Sequence, residues 1–227
     1  MASLKQLLCG CCDGSSGGMD EKLIESQKVV FDRDFVGGDV RLAADGRTVS
    51  GVGVALSACQ LLQDKAYFEL KALAIGPCRI GIATHRCKLN GHLGDDAFSW
   101  GFDVSSKTWM HKGTVLEKSY LFQVDSEALD HSGSTDIPSL APPDSVVIKE
   151  GDVIGVTVAQ TDCLHVAILV NGVELVEHEI YGALGDLYAG ISVAAPATFR
   201  ANFGVEDMEQ PVPYGFMEML YSTSVMF

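Results

Sequence analysis

From Val29 onward the chain is written in short apolar or alternating runs, broken at close intervals by Gly, Asp and Asn. That is the pattern of antiparallel strands joined by turns. In Tyr67-Phe68-Glu69-Leu70-Lys71-Ala72 the alternation is plain: Phe68, Leu70 and Ala72 share one face, Glu69 and Lys71 the other. A strand with a core face and a water face is expected there. Val153 to Val158 is apolar on both faces, which predicts a central strand covered by a second sheet on one side and by a loop or terminal segment on the other. The same reading places strands at Val40 to Ala43, Thr48 to Leu56, Tyr67 to Ile75, Arg79 to Thr84, Tyr120 to Val124, Val153 to Ala159, Leu164 to Val170 and Leu187 to Ala194. Asp45-Gly46, Asn90-Gly91 and Asn171-Gly172 supply turn chemistry, because these residues tolerate left-handed backbone angles. No heptad pattern and no repeat at solenoid or propeller period is present.

Composition bounds the rest. The 227 residues are 47% hydrophobic and 20% charged, with mean hydropathy +0.19, enough apolar material for a packed core and too short a chain for a multidomain machine. A formal net charge of −14 repels a phosphate backbone, so nucleic acid is excluded as the expected ligand. The longest apolar runs, Val153 to Ala159 and Val166 to Val170, fall far short of the roughly 18 residues of a membrane-spanning helix. Seven cysteines, three of them crowded at Cys9, Cys11 and Cys12, do not form a secreted disulfide framework, and no cleavable signal peptide is evident. A cytoplasmic, reducing setting is expected.

Residues 1–28 read as a flexible Cys/Gly/Ser-rich tail and residues 29–227 as one domain, interrupted by an acidic, Ser- and Pro-rich insertion around 115–147. In the tail, Leu4, Leu7 and Leu8 offer transient bilayer contact, and S-acylation at Cys9, Cys11 or Cys12 would hold the protein peripherally on a membrane. Ala2 excludes N-myristoylation, and an unmodified tail stands as the alternative.

The catalytic signatures dissolve on inspection. Gly14-Ser15-Ser16-Gly17-Gly18 lacks the strand and helix that strain a nucleophile elbow. Asp32, Asp34 and Gly37 echo a calcium loop, but Val36 and Ala43 stand where oxygen ligands belong. Leu56 spoils the dinucleotide pattern begun by Gly51 and Gly53. Cys9 and Cys12 form an isolated C-x-x-C, the six histidines show no ligand spacing, and Asp95-Asp96 and Glu150 with Asp152 sit beside glycines as turn caps. No metal site, cofactor site or catalytic residue is assigned.

Tyr67-Phe68-Glu69-Leu70-Lys71, Arg79-Ile80-Gly81-Ile82-Ala83-Thr84, Ser99-Trp100-Gly101-Phe102, His111-Lys112-Gly113, Glu150-Gly151-Asp152-Val153-Ile154-Gly155-Val156, Leu169-Val170-Asn171-Gly172 and Tyr188-Ala189-Gly190-Ile191-Ser192 follow one another in the order of the SPRY (B30.2/SPRY) domain. This ordered set, from about Tyr67 to Gly204, resembles that family, and a likeness to one branch of it extends to Cys9 to Gly18, Gly37 to Val40, Asp45 to Arg47 and Pro213 to Phe216. The resemblance implies a β-sandwich of two antiparallel sheets, concanavalin-like in its jelly-roll architecture. It also implies end loops that bind a peptide or protein partner, with neither catalytic residues nor cofactor. Within it, Trp100 to Gly113 forms a strand, turn and strand walling the partner groove. Trp109 and His111 are candidate contacts, with Phe102 and Lys107 beside them, while Trp100 reads as core. The negative charge favours partners with basic segments. Two alternatives stay open: a small thiol- or carboxylate-dependent enzyme, its thiol form built on Cys87 or Cys163 with His85 or His165, and a carbohydrate-binding sandwich. The oligomeric state is left open.

Overall fold

A computed structural model describes residues 29–116, 146–183 and 185–220. The tail with Cys9, Cys11 and Cys12, the expected strand Tyr120 to Val124 and most of the acidic insertion lie outside the described residues.

The described chain is all strand: β1 (Phe31–Val36), β2 (Asp39–Leu42), β3 (Thr48–Gln60), β4 (Lys65–Ala74), β5 (Cys78–Ala83), β6 (Ser99–Asp103), β7 (Thr108–His111), β8 (Thr114–Val115), β9 (Val153–Gln160), β10 (Leu164–Val170), β11 (Val173–Ile180), β12 (Tyr188–Val193), β13 (Thr198–Asn202) and β14 (Met217–Glu218). They form one continuous curled sheet in the order β11-β10-β9-β4-β13-β3-β12-β5-β6-β7-β8, with β1 and β2 on β3 and β14 on β4. The curl closes a sandwich because β3 belongs to both layers. Its first residues pair with β13 and β2, while the residues from Gly53 onward pair with β12 and β1. Gly51 (φ 95°) and Gly53 (φ 130°) mark the change of layer. A Cβ on Gly51 would stand 2.2 Å from the Asp39 carbonyl oxygen, so only glycine lets the strand turn there.

The main core lies between the layers. Phe68, Leu70, Ile154, Val156, Val166 and Ile168 from one sheet meet Ile80, Ile82, Phe102, Ile191 and Val193 from the other, all essentially water-free. A second, smaller cluster of Val54, Leu56, Ala83, Cys87, Leu93 and Tyr188 lies apart from it. These side chains sit on the back of the β3-β12-β5 layer, under the chain between β5 and β6: Leu93 comes within 3.4 Å of where a Gly190 Cβ would stand, and its carbonyl oxygen would stand 2.6 Å from a Cβ on Gly101.

One expectation is corrected. On the outer face of β4, Lys71 meets water as expected, its side chain 37% exposed, but Glu69 does not: it is 2% exposed and Tyr67 beside it is wholly buried. The chain after β13 returns across this face, and the Glu69 carboxylate accepts hydrogen bonds from the Glu209 and Gln210 amides, both at 2.8 Å, and from the Tyr67 hydroxyl at 3.0 Å. Lys71 Nζ pairs with Glu209 at 2.8 Å. At Glu69 the polar alternation thus serves a strap rather than solvent, and the same strap covers this part of the sheet.

A candidate interaction site at the open seam

Among the described residues the sheet curls without closing, and its two ends meet as a seam. At one end lies β11, at the other β7 and β8, and Trp109 of β7 stacks on His178 of β11 with ring centroids 5.9 Å apart. A cavity of about 200 Å³ opens here, lined by Lys107, Thr108 and Trp109, by Val115 and Leu116, and by Val176, Glu177 and His178. Its floor is apolar, with Lys107 and Glu177 at the rim.

The turn Val104 to Lys107 brings Lys107 to this rim. Asp103 Oδ1 accepts from the Ser105 and Ser106 amides, both at 3.0 Å, which fixes the tight return, and Lys107 closes it at φ 54° with its amide on the Asp103 carbonyl. Arg79 Nε reaches the other Asp103 oxygen at 3.2 Å and Arg79 Nη1 meets Asp95 at 2.7 Å, so backbone and guanidinium together hold the Asp103 carboxyl below its ordinary range despite its burial.

Trp109 is 3% exposed, yet its Nε1 is a buried donor with no acceptor among the described residues. Such a group forgoes about 1–3 kcal/mol of solvation until something accepts its proton. His178, 6% exposed, is pushed toward its neutral form by burial, against the pull of Glu179. The wall beside Trp109 is therefore an uncharged, stackable surface at neutral pH.

Of the four residues nominated from sequence, the structure brings Lys107 and Trp109 to one cavity. Phe102 does not join them: it is fully buried, tilted against Trp109 at 5.7 Å and opposite Ile80 on β5. It belongs to the core between the sheets and does not line the cavity at the seam. His111 is half-buried, stacked on Trp100 at 4.6 Å, with Nδ1 2.9 Å from the Ser99 carbonyl oxygen, so it braces β7 against β6 away from the cavity. Trp100 is core, 3% exposed.

The β11 side of the site was not foreseen. Asn171-Gly172 followed by Val173 to Ile180 is a hairpin signal. The bulge at Leu175, where Leu169 pairs with Glu174 but Ile168 with Val176, breaks the alternation that would have revealed the strand.

The residues of the thiol alternative are engaged elsewhere. Burial and Asp96 push the Cys87 thiol up to about 12. Desolvation and the hydrogen bond it donates to Glu179 raise Cys163 as well, so neither is a ready thiolate. His85 is stacked between Phe35 at 3.5 Å and Tyr188 at 3.7 Å. Asp95, Asp96 and Asp152 are turn acceptors, as expected of them.

Comparison with known proteins agrees with this architecture. The chain is 28% identical over 216 residues to SPRY domain-containing protein 7 of Homo sapiens, covering 95% of this chain and 94% of that one. It is 27% identical over 224 residues to the protein of the same name from Gallus gallus, covering 99% and 98%. Among solved structures, one titled Stonustoxin structure superposes with a TM-score of 0.51 at 12% identity, over 77% of this chain and 27% of that one, a likeness of fold alone. The SPRY domain model matches residues 65–206, from the start of β4 to the first turn of the strap, and the chain therefore belongs to the SPRY domain family.

Proposed function

We propose that this chain is a non-catalytic protein-interaction module that receives a peptide segment of a partner protein at the seam, beside the loop carrying Lys107. Membership of a family whose domains typically mediate protein interactions supports the general class. The observation that carries the site is the cavity of about 200 Å³ lined by Trp109, whose buried Nε1–H has no acceptor among the described residues. A buried donor beside apolar walls is satisfied by one well-placed carbonyl, and a peptide backbone provides carbonyls at regular spacing. The raised thiols of Cys78 and Cys87, both near 12, argue against nucleophilic use of these cysteines.

The experiment is affinity capture of the full-length protein from its native cells, compared with Lys107→Glu and Trp109→Phe. Phenylalanine keeps the ring in the core and deletes only the N–H, whereas alanine would open a cavity and report unfolding. The reading expects a partner enriched by the wild type and depleted several-fold from both folded variants. Equal recovery by all three would refute it.

We also propose a cytoplasmic location with peripheral membrane attachment through S-acylation at Cys9, Cys11 or Cys12, since two acyl chains anchor far better than one. Fractionation with hydroxylamine-sensitive acyl labelling should move the protein from membrane to cytosol in the triple Cys→Ser variant. A wild-type protein that is wholly cytosolic and carries no thioester would end this reading.

A further inference from the structure

The end strand β11 pairs with β10, and its second edge pairs with no strand among the described residues. The register separates its side chains by face. Val176 and His178 stand opposite Ile168 and Val166, on the core side. Glu174, Glu177 and Glu179 stand opposite Leu169, Ala167 and His165, on the outer side. The Glu177 side chain is 52% exposed, and among the described residues its carboxylate lies 3.4 Å from His165 Nδ1. Among the described residues the strand thus presents an unpaired backbone edge, an outer face carrying glutamates and, on the other face, the cavity lined by Trp109.

Charge selects among the occupants such an edge could take. A second copy pairing through its own β11 would set Glu against Glu, the like-charge arrangement that blunts edges against self-association. The chain's own segment 117–145 carries Glu117, Asp125, Glu127, Asp130, Asp136 and Asp144 against Lys118 as its one Lys or Arg, so it meets the same repulsion. A basic extended segment meets attraction on one face and an apolar cavity on the other.

Building on the seam reading, we infer that the partner segment adds as a strand to the free edge of β11. Basic side chains at every second position lie on Glu177 and its acidic neighbours, and the intervening apolar side chains enter the cavity, where a backbone carbonyl accepts the Trp109 Nε1 proton. The period of two follows from strand geometry, which places Glu177 and Glu179 on one face about 7 Å apart. Main-chain hydrogen bonds give affinity in this mode, and alternate side chains give specificity.

The test is fluorescence anisotropy of full-length protein with a labelled, end-capped eight-residue peptide of alternating Lys and Leu, matched in length to β11. Three comparison peptides are used: the same sequence with Glu for Lys, the parent N-methylated at alternate residues, and the parent in high salt. Expected are saturable binding of the parent, no binding of the Glu peptide, and at least a tenfold loss on N-methylation, which keeps charge and side chains but removes the ladder donors. Glu177→Lys, confirmed folded, should lose about tenfold, and raising salt from about 0.05 to about 0.5 M should weaken the wild type. Absence of saturable binding overturns the inference. So does equal binding of the N-methylated peptide, which would mean unspecific attraction to an acidic protein, or equal binding by Glu177→Lys. Binding seen only when residues 119–143 are replaced by a Gly-Ser linker would make that segment the occupant and overturn it too. The seam reading itself is decided separately, by capture with Lys107→Glu and Trp109→Phe.

Discussion

Glu206 shows how a few side chains lock the return of the chain after β13. Its carboxylate sits between Arg47 Nη2 at 2.7 Å and Arg200 Nη2 at 3.0 Å, and these two hydrogen-bonded guanidiniums pull its pKa from 4.5 down to about 2. A carboxyl depressed on folding contributes stability that is fully present above its unfolded value and is lost as pH falls through the folded one. The wild type should therefore lose stability between about pH 5 and pH 2 more steeply than Glu206→Gln, as read by urea midpoints across that window. Parallel curves would show that the triad contributes nothing net, as exposed ion pairs often do. Trp109 illustrates the opposite case, a residue whose type was legible and whose setting was not. An indole marks both cores and interfaces, and only the meeting of β7 with β11 makes it a core ring with its N–H left over.

At the scale of elements, the strap after β13 is the main departure from the alternating pattern. Glu69 looked solvent-facing, and by local rules it is. A segment roughly 140 positions away in the chain supplies the two amides that cap it. Glu69→Ala leaves three donors without their acceptor, so a loss of about 2–4 kcal/mol is expected in chemical denaturation, with faster proteolysis within residues 205–220. A loss below about 0.5 kcal/mol would mean that water replaces the carboxylate and that the strap is held by β14 and the Lys71–Glu209 pair. The strands were more readable: β3, β4, β5, β9, β10 and β12 all fall on runs of apolar or alternating residues. Of the expected set, Tyr120 to Val124 lies outside the described residues. β1, with Asp32, Arg33 and Asp34, and β11, with three glutamates and a histidine, were missed because charged strands at a sheet's margin carry little apolar signal.

For the whole molecule, curvature decides what becomes a site. A flat sheet in this strand order would place β11 and β7 at opposite ends, and Lys107 and Glu177 would never share a cavity. Curling through the glycines of β3 brings the ends together.

The amino-acid order by itself determined the all-β class, the family, the central strand β9 and the turn-capping roles of Asp95, Asp96 and Asp152, because strand period, turn chemistry and ordered motifs are local properties. Tertiary structure alone decided that Phe102 is core, that Glu69 is a clamp and that Trp109 and His178 face each other. Those facts depend on which distant strand or strap arrives to cover a face, and no window of neighbouring residues contains that information.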